Sequence, residues 1–196
     1  EEAVIFRGGG TPSKKNSEFW NGNIPWVSPK DMKVQHISNS MDFITENAIE
    51  NSSARLLPKD SILIVVRSGI LARTIPLAIA GCELTINQDL KALITKEKIL
   101  PNFLYYFLRS KESELLSKVS KGATVHRLQT HDLKNLIVTF PQIVIQDHLV
   151  SKIIMLEEDI NKLILNKGDE MRLFTELKQS ILHDAFSEKF TGGITA

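Results

Sequence analysis

Residues 146–186 read QDHLVSKIIMLEEDINKLILNKGDEMRLFTELKQSILHDAF, a run without proline. Apolar residues return at three- and four-residue steps: Leu149, Ile153, Leu156, Ile160 and Ile164, then Met171, Phe174, Leu177, Ile181 and Ala185. That is the period of an amphipathic helix with a narrow seam, closer to a coiled coil than to an ordinary surface helix. At ~1.5 Å per residue the run predicts a rod of about 60 Å. One small head cannot cover so long a seam, and the sequence suggests no second long helix to do it. The seam is therefore expected to pair with another copy or another protein, as an antiparallel coiled coil. Gly168 interrupts it at ~1 kcal/mol relative to alanine. It reads as a stutter in the heptad register between Ile164 and Met171, or as a hinge or close crossing.

Upstream of the rod the pattern changes. With 196 residues, 42% of them hydrophobic, the chain can hold one globular domain with its own core, residues 1–141, followed by the helix, residues 142–196. Short strands are predicted at Ala3–Arg7, 24–32, Ile62–Arg67, Thr74–Ala80, Leu90–Thr95 and Leu136–Phe140. Pro25 argues against a central place for the second of these. Thr45 is placed to cap a short helix at Glu46–Glu50. Pro101 starts a helix at Asn102–Ser110, with a second segment to Val119, and Thr130 caps a turn of helix at His131–Leu133. Strands and helices mix without regular alternation, which predicts an α+β fold.

Composition excludes several classes. The one cysteine, Cys82, forbids an internal disulfide and fits a reducing compartment. The longest apolar runs, such as Ile62–Val66, are too short to span a bilayer. No signal peptide is visible, and cytoplasm is the expectation. Residue 1 is Glu rather than Met, which fits a piece of a longer chain. The five histidines (36, 126, 131, 148 and 183) are scattered without metal-ligand spacing. Gly8-Gly9-Gly10 resembles a phosphate cradle, but Pro12 and Ser13 break the Walker pattern. No Gly-x-Ser-x-Gly elbow is present, nor the Asn/Asp-Pro-Pro-Tyr/Phe motif of amino-methyltransferases. One enzymatic pattern survives: Asp60, then Asp89-Leu90-Lys91, loosely matching the carboxylates and lysine of Mg²⁺-dependent nucleases. Its bland alternative is a turn residue and a strand-entry pair.

Charge is unevenly spread. Residues 1–141 carry 18 Lys+Arg against 14 Asp+Glu, and residues 142–196 carry 6 against 9. A basic head on an acidic stalk suits a head that meets nucleic acid. Lys14, Lys15, Asn16 and Lys30 lie in polar stretches around Trp20, and Arg67 and Arg73 flank the turn after an apolar strand. Lys121 and Arg127 sit in a later loop. Such side chains hold phosphates or read base edges, though each is equally a solvated surface charge. Trp20 and Trp26 are read as core rather than stacking platforms. Asn87, Gln88 and Asp89 are read as polar side chains bonding loop backbone.

The order of these stretches adds what no single one carries. GGGTPSKKNSEFWNGNIPWVSPKDMK (8–33), LLPKDSILIVVRSGILAR (56–73), INQDLKAL (86–93), KGATVHRLQTHDLKNLIVTFP (121–141) and ELKQSILHDAFSEKF (176–190) follow one another. Together they resemble the target-recognition domain and conserved helix of type I restriction–modification specificity subunits, over essentially the whole chain. The resemblance implies a DNA sequence-recognition subunit without catalysis or cofactor of its own. It implies partners: double-stranded DNA, a methylation subunit that binds S-adenosylmethionine, and a restriction subunit that uses ATP and Mg²⁺. In that family each recognition domain reads one half of a split target and long helices set the gap. Family members usually hold two such domains and two long helices, whereas this sequence holds one of each. It therefore resembles either a half-size subunit that pairs with itself through the helix, or half of a longer chain. Outside the resemblance, a Mg²⁺ nuclease and a coiled-coil protein-binding adaptor stay open.

Overall fold

The computed structural model describes residues 3–166 and 171–186, with the side chains of 165–166 and 171–174 left aside. The chain forms two compact units: residues 1–96 with 112–136, and residues 97–111 with 137–196. These are not the contiguous halves 1–141 and 142–196 suggested by the sequence, because residues 97–111 pack with the C-terminal helices.

The first unit is built on a five-stranded sheet in the order β1-β9-β5-β7-β3. Its members are β1 (Val4–Gly8), β3 (His36–Ile37), β5 (Ile62–Val65), β7 (Leu77–Ala80) and β9 (Leu90–Thr95). The central strand β5 is an unbroken apolar run buried along its length, as a strand covered on both faces should be. All pairings are antiparallel except β3 with β7. A second sheet sets β2 (Trp20–Val27) between β4 (Asp42–Ile44) and β8 (Thr85–Ile86). Phe19, Trp26, Ile44, Ala48 and Ala54 form a core cluster beneath it. The helix α1 (Glu46–Asn51) starts where expected, the Thr45 hydroxyl accepting from Ala48 N at 3.2 Å.

Pro25 thus sits in a central strand, against the sequence expectation. The reason is that β8 joins β2 only at Trp26 and Val27, so at Pro25 the ladder runs to β4 alone. The Pro25 carbonyl accepts instead from the Thr85 hydroxyl at 3.0 Å. A third small sheet pairs β6 (Arg67–Ser68) with β10 (His126–Arg127). Short helices α3 (Glu112–Ser117) and α4 (Thr130–Lys134) complete this unit. The strand expected at Leu136–Phe140 does not form; the segment is irregular.

The second unit consists of α2 (Pro101–Ser110), α5 (Ile143–Asn166) and α6 (Met171–Ala185), packed on one another. The single rod is therefore corrected to two helices. In one straight helix Glu157 and Lys178 would stand about 30 Å apart, yet Lys178 Nζ lies 2.8 Å from Glu157 Oε1. The chain doubles back between α5 and α6, and Gly168 lies outside the described residues. Leu149, Ile153 and Ile160 are buried, Ile164 and Ile181 are half-buried, and Leu156 and Leu177 are exposed. The side chains of Met171 and Phe174 lie outside those the structure describes. The premise that no second helix exists to meet the seam fails, because α6 and α2 meet it.

Polar groups fix this unit as firmly as the apolar ones. Gln146 is fully buried; its amide nitrogen donates to the carbonyls of Lys98 and Pro141, each at 2.8 Å. Its oxygen accepts from Leu100 N at 2.9 Å, at the start of α2. The Tyr106 hydroxyl donates to Glu157 at 2.7 Å, and Phe186 packs edge-on against Phe103 and Phe107.

Candidate nucleic-acid interface

Lys30 apart, the expected cationic residues separate into two groups on the first unit. The first group lies on the loop between β1 and β2. Gly10 N donates to Ile86 O at 3.0 Å. A side chain at Gly9 would place its Cβ 2.1 Å from Asn87 O, so only glycine lets the loop lie this close to the neighbouring turn. The two indoles then pin the loop from beneath: Trp26 Nε1 donates to Gly10 O at 2.9 Å, and Trp20 Nε1 to Ser13 O at 3.1 Å. Their rings meet edge-on at 5.3 Å. The tryptophans are anchors, consistent with the expected core role. The glycines serve close approach of backbones: a Cβ at Gly10 would lie 2.4 Å from Ser53 O.

At the tip of this loop Lys14 and Lys15 are exposed. Asn16 caps the 3-10 turn Ser17–Phe19, its side-chain oxygen accepting from Glu18 N at 3.1 Å, so part of its hydrogen-bonding capacity is committed. Lys30 is held elsewhere: its ammonium lies 2.7 Å from Asp42 Oδ2. That hydrogen bond raises the Lys30 pKa from its ordinary value.

The second group is the arginine ribbon. Arg67 of β6 stands directly opposite Arg127 of β10. Arg73 closes the 3-10 turn that follows β6, and Lys121 adjoins Ser120, which bridges to Arg127. All four side chains are exposed. Like charges directly across a strand pair repel, and among the described residues the carboxylate set against them is Asp89, with Oδ1 3.8 Å from Arg67 Nε. The patch therefore carries a surplus of positive charge suited to a polyanion.

Between the two groups lies the turn Asn87-Gln88-Asp89. The Asn87 side chain accepts from Asp89 N at 3.0 Å and donates to Asp89 Oδ2 at 3.1 Å. The Asp89 carbonyl accepts from Val66 N at 2.8 Å and Arg67 N at 3.1 Å. Gln88 Oε1 accepts from the Thr11 hydroxyl. Loop bonding by these residues was legible; that Asp89 faces a candidate DNA-binding arginine was not. The two residues are 22 positions apart, and they meet only because the Asp89 carbonyl takes the N–H groups of Val66 and Arg67.

The nuclease pattern loses its geometry. Asp60 precedes β5 and Asp89 precedes β9, and these strands are antiparallel with Ile62 opposite Leu93 and Val65 opposite Leu90. The two aspartates thus lie at opposite ends of the ladder, about 20 Å apart at ~3.4 Å per residue, too far to share an ion. Asp60 is an exposed turn residue with φ 68°. Among the described residues no group of three His, Cys, Asp or Glu is placed to hold a metal, and no helix is long and apolar enough to cross a membrane.

The first unit is a small mixed-sheet frame that gathers cationic loops, in a chain that also carries a helical unit. Residues 3–167 match the type I restriction modification DNA specificity domain, and the chain belongs to that family. It is 43% identical over 145 residues to the EcoR124I/EcoR124II specificity subunit of Escherichia coli, covering 73% of this chain and 36% of that one. It is 38% identical over 138 residues to the MjaIX specificity subunit of Methanocaldococcus jannaschii, covering 68% of this chain and 31% of the relative. The chain thus spans about a third of the length of these curated relatives. In fold it is similar to the HsdS subunit of Thermoanaerobacter tengcongensis, with a TM-score of 0.66 at 19% identity, over 94% of this chain and 43% of the other.

Proposed function

We propose that this chain is a DNA-recognition head, with adjoining helices, of a type I restriction–modification specificity subunit. The observation that carries this is the family match over residues 3–167. On this reading the first unit reads one half of a split DNA target and directs methylation and restriction subunits to it. Phosphate contacts give salt-dependent affinity, and side chains in the grooves give the sequence. The chain performs no chemistry and needs no cofactor. S-adenosylmethionine, ATP and Mg²⁺ belong to the partner subunits, and the assembly works in the cytoplasm.

The helical unit joins the head to a second head, in another copy or further along a longer chain. Exposed Val144, Met155, Leu156, Leu163 and Leu177 supply apolar surface for that interaction. Two identical copies would pair about a twofold axis and select a palindromic split target. Methylation mapping of cells that carry this chain with its methylation subunit tests the reading. A single bipartite motif, absent when the chain is deleted, is the expected result. Methylation unchanged by the deletion would defeat it. Leu156→Asp with Leu177→Asp should lower the mass of the assembly in sedimentation if the helices carry self-association.

A further inference from the structure

Resting on that reading, the geometry points to Asp89 as a positioning residue that sets the aim of Arg67, and to Asn87 as the residue that fixes Asp89. Asp89 has two roles that separate cleanly. Its carbonyl takes the backbone N–H groups of Val66 and Arg67 and so places β6. Its carboxylate faces the Arg67 guanidinium and is itself fixed by the Asn87 amide at 3.1 Å. Asn87 is 6% exposed and its own N–H donates to Val27 O at 2.9 Å, so the chain of interactions is rooted in the core.

The separation of 3.8 Å exceeds a hydrogen bond. The carboxylate therefore biases the guanidinium without consuming it. It faces Nε, and the terminal amino groups remain donors for a base edge or a phosphate. Bidentate recognition of a base needs a planar fork held at one angle. A carboxylate beside a DNA-facing arginine also repels the DNA backbone, which lowers affinity for every sequence alike. The arrangement thus sacrifices general affinity for discrimination. The same turn carries Gln88, bonded to Thr11 of the lysine loop, so one rooted element sets both cationic surfaces.

Asp89→Asn tests this in the chain assembled with its methylation subunit, using the mapped target duplex and a scrambled duplex of equal length. The substitution keeps the shape and both backbone bonds and removes the charge. Target binding is expected to weaken while scrambled binding stays equal or tightens, so their ratio falls about tenfold, the scale of one base-reading interaction. Arg67→Lys should lower the ratio similarly, and adding Asp89→Asn to Arg67→Ala should cost nothing further on the target. Asp89→Glu, which keeps the carboxylate, should recover part of the ratio. Both duplexes binding more tightly by one factor would reduce Asp89 to bulk charge and overturn the proposal. Parallel weakening on both duplexes with a lower melting temperature would reduce it to folding. Additive effects in the double variant would also overturn it. A wild-type assembly that binds no DNA would instead overturn the functional reading beneath it.

Discussion

The lysine loop and the arginine ribbon present the same charge by opposite means. In the loop, order stops at the backbone: two indole N–H groups hold the carbonyls of Gly10 and Ser13, and Lys14 and Lys15 project beyond them. In the ribbon, order reaches the side chain: Arg67 is paired across the strand with Arg127 and faced by a carboxylate. A lysine is a mobile point charge and suits phosphates; a planar, oriented guanidinium suits a base edge. The difference suggests that the loop contributes affinity and the ribbon contributes discrimination.

The strongest way to break this comparison is to remove the loop's anchor. Trp26 is 5% exposed, and Trp26→Ala should cost about 3–5 kcal/mol of stability, the usual range for a buried tryptophan. Thermal unfolding reads this directly, and a melting point at the wild-type value would show that the indole does not hold the loop. Next, Arg67→Ala with Arg127→Ala should weaken target binding by about 1–3 kcal/mol for each base-reading arginine removed, with much less effect on a scrambled duplex. Equal weakening on both would assign the ribbon to phosphates and erase the distinction.

Charge reversal at Lys14 and Lys15 should act in the other sense. Affinity should drop for target and scrambled DNA together, and the salt slope should shrink by roughly 0.9 for each phosphate no longer neutralised. A gel-shift titration with unchanged affinity would remove both lysines from the interface. The smallest effect is expected at Lys30, whose ammonium is occupied by Asp42. Lys30→Ala should leave DNA affinity close to wild type. Because the bond to Asp42 raises the Lys30 pKa above its usual 10.5, the pair's contribution is fully present below that value. It disappears only as pH rises through the higher folded value. Binding titrations between about pH 6 and 9 should therefore show no transition from this group.

The exposed cationic surface of the first unit was legible in residue types and order. Lys14, Lys15, Arg67, Arg73, Lys121 and Arg127 all emerge exposed on the first unit, and Thr45 and Pro101 mark helix starts as their chemistry requires. Lys30 and Asn16 show the limit. Composition marks a residue as able to bind, but whether a neighbour already occupies it depends on Asp42, twelve residues away, or on the local turn. Asp89 shows the same limit from the other side, since its partner Arg67 lies across a strand crossing.

The amino-acid order by itself determined the mixed α+β class, an apolar strand starting at Ile62, the helical period from Leu149 to Ile181, and the family. These are local or periodic properties, and each is written along one segment. Tertiary structure decided where that helical period is spent. A seam with a period near 3.5 accepts a helix from another molecule or from the same chain, and nothing in the repeat distinguishes them. The choice fell to pairs distant in sequence, Glu157 with Lys178, Tyr106 with Glu157, and Phe186 with Phe103, which fold the run back upon itself.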